Sequence, residues 1–177
     1  MTALNVILTE EYSVIVSDTL ARAKGNPDFH VAKVMACPHM RLAVATRGRM
    51  DALTKVVGVI SVGAFDFDST RAFLAGAYSR LGLNDVEIVV AGWSSKGPAA
   101  FIISAANTGG KVMDIQHVLI TPTVSSAVAD AFAADPIGQM PDLLKSQASS
   151  PDVGGFMNVT QIGEHVIETY TAGPISA

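Results

Sequence analysis

An α+β fold, with antiparallel sheets stacked between helical layers, follows from the order of elements in this chain. Strand pairs open and close the sequence, and two helical blocks interrupt them. The strands do not alternate singly with helices, so the pattern is not a βαβ one. Hydrophobic residues make up 49% against 16% charged, a balance that excludes disorder. Order alone leaves a generic α+β domain open.

The elements run as follows. Residues 3–9 (ALNVILT) and 12–18 (YSVIVSD) read as two strands around a turn at Glu10-Glu11. Residues 19–30, with Gly25, Asn26 and Pro27, read as a loop. VAKVMA (31–36) and RLAVAT (41–46) form a second hairpin around Pro38-His39. DALTKVVGVISVG (51–63) is the first helix. Asp68 or Ser69 caps the second, in which Leu74, Tyr78 and Leu81 recur at i, i+4 and i+7. Strands 86–91 (VEIVVA) and 99–104 (AAFIIS) flank "GWSSKGP", read as a hairpin tip. Two short strands follow near 110–113 and 115–120. Ser125 or Ser126 caps a helix through Ala133, and Pro141 opens another through Gln147. Strands 155–161 and 165–171 end the chain.

The 177 residues are of the size of one domain, 1–177, with neither internal repeat nor low-complexity tract. Net charge is −4 and the basic residues are scattered, which argues against a nucleic-acid partner. No apolar run reaches the roughly 20 residues of a membrane span, and the start lacks a secretory pattern. Cys37 is the only cysteine, so no internal disulfide forms, and the expected compartment is the cytoplasm. Positive mean hydropathy with sparse charge points to apolar surface covered by other subunits, hence a homo-oligomer.

The first hairpin carries the chemistry. A turn about Glu10 pairs residues whose numbers sum to 20, which sets Thr2 opposite Asp18, with directly opposed β-carbons about 4.5–5.5 Å apart. Leu4, Val6 and Leu8 then share a face with Thr2, and Val16, Val14 and Tyr12 with Asp18. Ala3, Asn5, Thr9, Ser13 and Ser17 fall on the reverse face, with Ile7 and Ile15 the exceptions. A carboxylate at the rim of an apolar face needs a partner. Lys33, between Val31 and Met35, is the nearest candidate. The alternative is that Lys33 extends its stem to solvent and Asp18 caps a strand end.

An N-terminal threonine, an aspartate ending the second strand, a lysine starting the third and a small-residue turn after the fourth resemble the proteasome β-subunit group of N-terminal nucleophile (Ntn) hydrolases. The bacterial ring-forming threonine peptidases give the closest spacing. The matching pieces are "MTALNVILTEEYSVIVSD", "AKVMACPHMRLAVATRGRMDAL", "VEIVVAGWSSKGPAAFIIS" and "VGGFMNVTQIG". The resemblance implies a four-layer αββα sandwich and cleavage of a peptide or other amide. It makes Thr2 the nucleophile after removal of Met1, its α-amine the general base, Asp18 the holder of Lys33, and the Gly48 backbone N–H part of an oxyanion hole. A hydroxyl needs a nearby base to become a nucleophile, and a neighbouring ammonium lowers an amine's pKa toward neutrality. The chain shows no propeptide, so activation is expected from methionine aminopeptidase. Where such proteins carry a glycine-serine-glycine turn, this chain has "ITPTVSSA" (120–127). Thr123 or Ser125 would replace that serine, and Arg47 is expected near the oxyanion hole, narrowing the cleft or binding an acidic group. A non-catalytic member, serving as an oligomeric scaffold or assembly subunit, is the second reading. The sequence names no unfoldase partner.

Other candidates carry less. His30, His39, His117 and His165 lack metal-ligand spacing, and neither a metal nor a cofactor is expected. Cys37 beside Pro38 reads as a passenger. Trp93 either packs on a neighbouring strand or meets another subunit. Asp66 and Asp68 suit the dipole at a helix start.

Overall fold

The computed structural model describes residues 2–22 and 25–175. Two five-stranded antiparallel sheets lie face to face. The first has the order β10-β1-β2-β11-β12, with β1 Leu4–Leu8, β2 Ser13–Asp18, β10 Val118–Thr121, β11 Phe156–Ile162 and β12 Ile167–Pro174. The second has the order β5-β6-β7-β8-β9, with β5 Val34–Cys37, β6 Leu42–Arg47, β7 Glu87–Ser94, β8 Gly97–Ser104 and β9 Met113–Ile115. Helices α1 (Ala52–Gly63) and α2 (Phe67–Ala77) cover the second sheet. A single helical turn, α3 (Ala105–Thr108), follows β8, and α4 (Ser126–Ala134) and α5 (Met140–Gln147) cover the first sheet. The expected four-layer αββα sandwich is observed.

Three cores hold the layers together. Leu42, Val44, Val90 and Phe101 meet Leu53, Val56, Ile60 and Leu74 under α1 and α2. Leu4, Val6 and Ile15 meet Ala43, Ala45, Val89 and Ala91 between the sheets. Ile7, Val14 and Val16 meet Phe132, Leu143 and Leu144 under α4 and α5. On β6 the bulky residues face the helices and the alanines face the sister sheet. Alternation by size, rather than by polarity, is what a sheet buried on both faces requires.

The same burial corrects the reading of the first hairpin. The observed register pairs Leu4 with Ser17 and Leu8 with Ser13, so partner numbers sum to 21. The turn therefore centres between Glu10 and Glu11. Thr9 fixes it: its Oγ1 accepts from the backbone N–H of Glu11 (3.2 Å) and Tyr12 (3.0 Å). Thr2 and Asp18 are not opposed, because one step of register moves a strand's whole face. The supposed outer face is interior as well. Asn5 and Gln147 exchange two amide hydrogen bonds of 2.9 Å, tying β1 to α5. Ser13 donates to the Gly92 carbonyl of the other sheet at 3.2 Å.

Smaller differences have local causes. The predicted loop 19–30 contains a short ribbon, β3 (Leu20–Ala21) against β4 (Phe29–His30). The cap of α2 is Asp66, not Asp68 or Ser69; Asp66 accepts from Ser69 N–H at 2.8 Å while Ser69 Oγ accepts from Asp66 N–H at 3.0 Å. The Ser69 hydroxyl also donates to Asp66 Oδ1 at 2.6 Å, and this bond, with the one from Ser69 N–H, holds the Asp66 carboxyl below its ordinary pKa. β7 and β8 run into "GWSSKGP", leaving only Ser95-Lys96 as the tip and pairing Trp93 with Pro98.

Candidate functional site

The interior pair comes first. Lys33 Nζ donates to Asp18 Oδ1 at 2.8 Å, with the Asp18 side chain fully buried and that of Lys33 8% exposed. Asp18 closes β2, where its carboxylate also accepts from the backbone N–H of Ala3 (2.9 Å) and of Gly154 (3.1 Å). Three bonds from three segments satisfy this carboxylate, the condition under which a buried charge is tolerated. Burial pushes the Lys33 ammonium below the usual lysine range, and Asp18 pulls it part of the way back. The alternative in which Lys33 simply reaches solvent is not what the fold adopts.

Beside this pair lies a cavity of about 410 Å³, lined by Thr2, Lys33 and Gly48 among others. Three of the four expected site residues thus border one space, and Asp18 touches it only through Lys33. Thr2 is held there because Asp18 grips the next residue, Ala3, from behind. Met1, whose removal the sequence reading requires, lies outside the described residues.

Gly48 follows β6 at φ +129°. A β-carbon there would stand 2.6 Å from the Asp85 carbonyl oxygen. Glycine is therefore required twice, by the backbone angle and by the close approach.

Arg47 is corrected. It lies on the face of β6 that looks at the other sheet, where its guanidinium donates to Thr121 Oγ1 at 2.7 Å and stands 3.8 Å from Glu87 Oε1. It does not line the cavity. No residue of 120–127 lines it either; that stretch is occupied with Arg47, with Asn5, which accepts from Thr121 N–H at 3.3 Å, and with Gln147, which donates to the Pro122 carbonyl at 2.9 Å.

Sequence reasoning missed several lining residues. Arg22 follows the β3 ribbon, Arg49 follows Gly48, and Asp152 stands one residue before the quoted "VGGFMNVTQIG". The first was hidden in a segment read as loop. For Asp152, the available signal was the Gly154-Gly155 pair, which brings the chain close to Asp18.

Elsewhere, Cys37 is buried and its thiol is pushed up by that burial, which suits a packing role. Among the described residues no cluster of three or more His, Cys, Asp and Glu is placed to hold a metal. No helix among them is long and apolar enough to cross a membrane.

No protein-family model and no curated protein matches the chain. Solved structures do. A mutant form of Anbu from Hyphomicrobium sp. strain MC1 superposes with a TM-score of 0.76 at 15% identity, over 98% of this chain and 87% of that one. The Anbu complex from Pseudomonas aeruginosa, solved as a helical assembly, gives 0.69 at 16% identity over 100% and 88%. These neighbours correct the resemblance to ring-forming threonine peptidases. The quoted motifs mark strand ends and turns that the sandwich itself demands, so they carried the architecture and not the branch. What the chain shares with Anbu, at this identity, is a proteasome-like, Ntn-like fold.

Proposed function

We propose that this protein is an N-terminal-threonine amidohydrolase or peptidase that acts once Met1 is gone. The observation that carries the reading is the single cavity bordered by Thr2, Lys33 and Gly48, with Lys33 bonded to the buried Asp18 at 2.8 Å. Thr2 Oγ attacks the substrate carbonyl and passes its proton, through a water, to the freed α-amine. The carbon–nitrogen bond then breaks, the leaving amine takes that proton, and an ester on Thr2 remains for water to hydrolyse. The Lys33 ammonium keeps the α-amine unprotonated near neutral pH, and Asp18 positions Lys33. The Gly48 N–H stabilises the oxyanion.

Intact mass and labelling test this together. Mass is expected to show Met1 absent, and a small β-lactone is expected to add one label at Thr2 that Thr2→Ala abolishes. Retained Met1 together with failure to label would favour the second reading, a non-catalytic assembly subunit. That reading draws on the Anbu complex having been solved as a helical assembly. Both readings include self-association in the cytoplasm, and light scattering that finds only monomer would remove this part.

A further inference from the structure

We propose that a second cavity, separate from the threonine site, binds a small organic acid: a carboxylate joined to an apolar group. This space of about 410 Å³ shares Val31 and Ala32 with the first cavity, but neither Thr2 nor Lys33 lines it. One donor comes from His30 on β4. Thr19 Oγ1 lies 3.1 Å from His30 Nδ1, and the same oxygen accepts from the Phe156 N–H at 2.9 Å. Thr19 is buried, and among the described residues His30 Nδ1 is the acceptor open to its hydroxyl proton. Nδ1 therefore accepts, and the ring proton of the neutral imidazole sits on Nε2. The backbone leaves room for this bond and nothing else. A β-carbon on Gly155, at φ +80°, would stand 2.6 Å from Thr19 Oγ1 and 2.7 Å from His30 Nδ1.

The second donor is Asn158. It stands two residues from Phe156 on β11, on the same face of the sheet, and both border the cavity. Asn158 Oδ1 accepts from Thr171 Oγ1 at 2.8 Å, which orients the amide and leaves its N–H groups for a ligand. No acidic side chain among the described residues lines the space. Two N–H donors from separate elements, with no competing carboxylate, match the two oxygens of an ionised acid. Bonds to such an acceptor are about twice as strong as those to a neutral carbonyl. The apolar requirement comes from Phe156, which is 42% exposed and meets the His30 ring edge-on, with centroids 5.3 Å apart. Together with Val31 and Ala32 it offers hydrocarbon surface beside the donors. Inorganic phosphate would satisfy the donors but leave that surface in water.

The test follows the imidazole Cε1–H signals of the full chain by NMR during titration. Isocaproate is expected to shift the His30 signal saturably and to leave those of His39, His117 and His165 in place. Isocaproamide, which keeps the shape and loses the charge, is expected to bind about tenfold or more weakly, the ratio that one charge-assisted bond provides. Asn158→Leu is expected to weaken isocaproate by a similar factor. Phe156→Ala, which removes a partly exposed ring, is expected to weaken isocaproate and leave acetate unchanged. No saturable shift of His30 with isocaproate overturns the site. Inorganic phosphate or isocaproamide binding as tightly as isocaproate overturns the ligand class. None of these readouts depends on labelling at Thr2, so the site is judged apart from the hydrolase reading.

Discussion

Asp18 and Lys33 form an ion pair of 2.8 Å in the interior, and the same carboxylate binds the backbone at Ala3 and Gly154. One side chain thus joins the start of β1, the entry to β5 and the approach to β11. Removing its charge leaves the buried ammonium without the carboxylate that binds it.

Asp18→Asn is therefore expected to lower unfolding free energy by about 3–5 kcal/mol, measured by urea denaturation. Asp18→Asn combined with Lys33→Met, which removes both charges, is expected to recover part of that loss while remaining unlabelled by β-lactone. A double variant as unstable as the single one would show that the backbone bonds, not the ion pair, dominate.

Lys33 also gives a pH signature. Its folded pKa lies below the ordinary value of 10.5 because burial penalises the ammonium. Between the two values the unfolded chain holds a proton that the folded chain has released, so this group's contribution to stability rises with pH in a window ending near 10.5. Cys37 acts in the opposite sense: its folded pKa is raised above 9.0, so its contribution falls as pH climbs through and above that value. Subtracting the urea midpoints of Lys33→Met from those of the parent at each pH isolates the lysine, and the difference is expected to slope upward.

Gly48 supplies a third test. With φ at +129° and the Asp85 carbonyl where a β-carbon would sit, Gly48→Ala is expected to cost about 1–3 kcal/mol and to slow labelling of Thr2. Gly25, at φ +82° with nothing among the described residues within 4 Å of an added β-carbon, is the control. Gly25→Ala carries the backbone strain alone and is expected to cost less in the same denaturation experiment.

Arg47 separates stability from reactivity. It links the two sheets through Thr121, and within its own sheet it faces Glu87, to which Asn107 Nδ2 donates. Among the described residues Glu87 Oε1 has no hydrogen-bond partner, so the guanidinium is the charge that offsets it. Arg47→Leu is expected to destabilise by about 1–3 kcal/mol and to leave the rate of β-lactone labelling at Thr2 unchanged. A changed rate would mean that Arg47 reaches the reacting groups after all.

The sequence alone determined the order of strands and helices and the stacking of antiparallel sheets between helical layers, from apolar runs of strand length and helix periodicity. A lysine out of place between Val31 and Met35 marked the site, and the grouping of Thr2 and Gly48 with it came from the resemblance to Ntn hydrolases. Tertiary structure decided the rest. The register of the first hairpin turned on whether its loop centres on Glu10 or between Glu10 and Glu11, and polarity could not settle that because both faces of the sheet are buried. The turn of Arg47 toward the sister sheet and the place of Asp152 depend on contacts between segments far apart in the chain. Alternation along a strand names two faces, but only packing decides which layer each one meets.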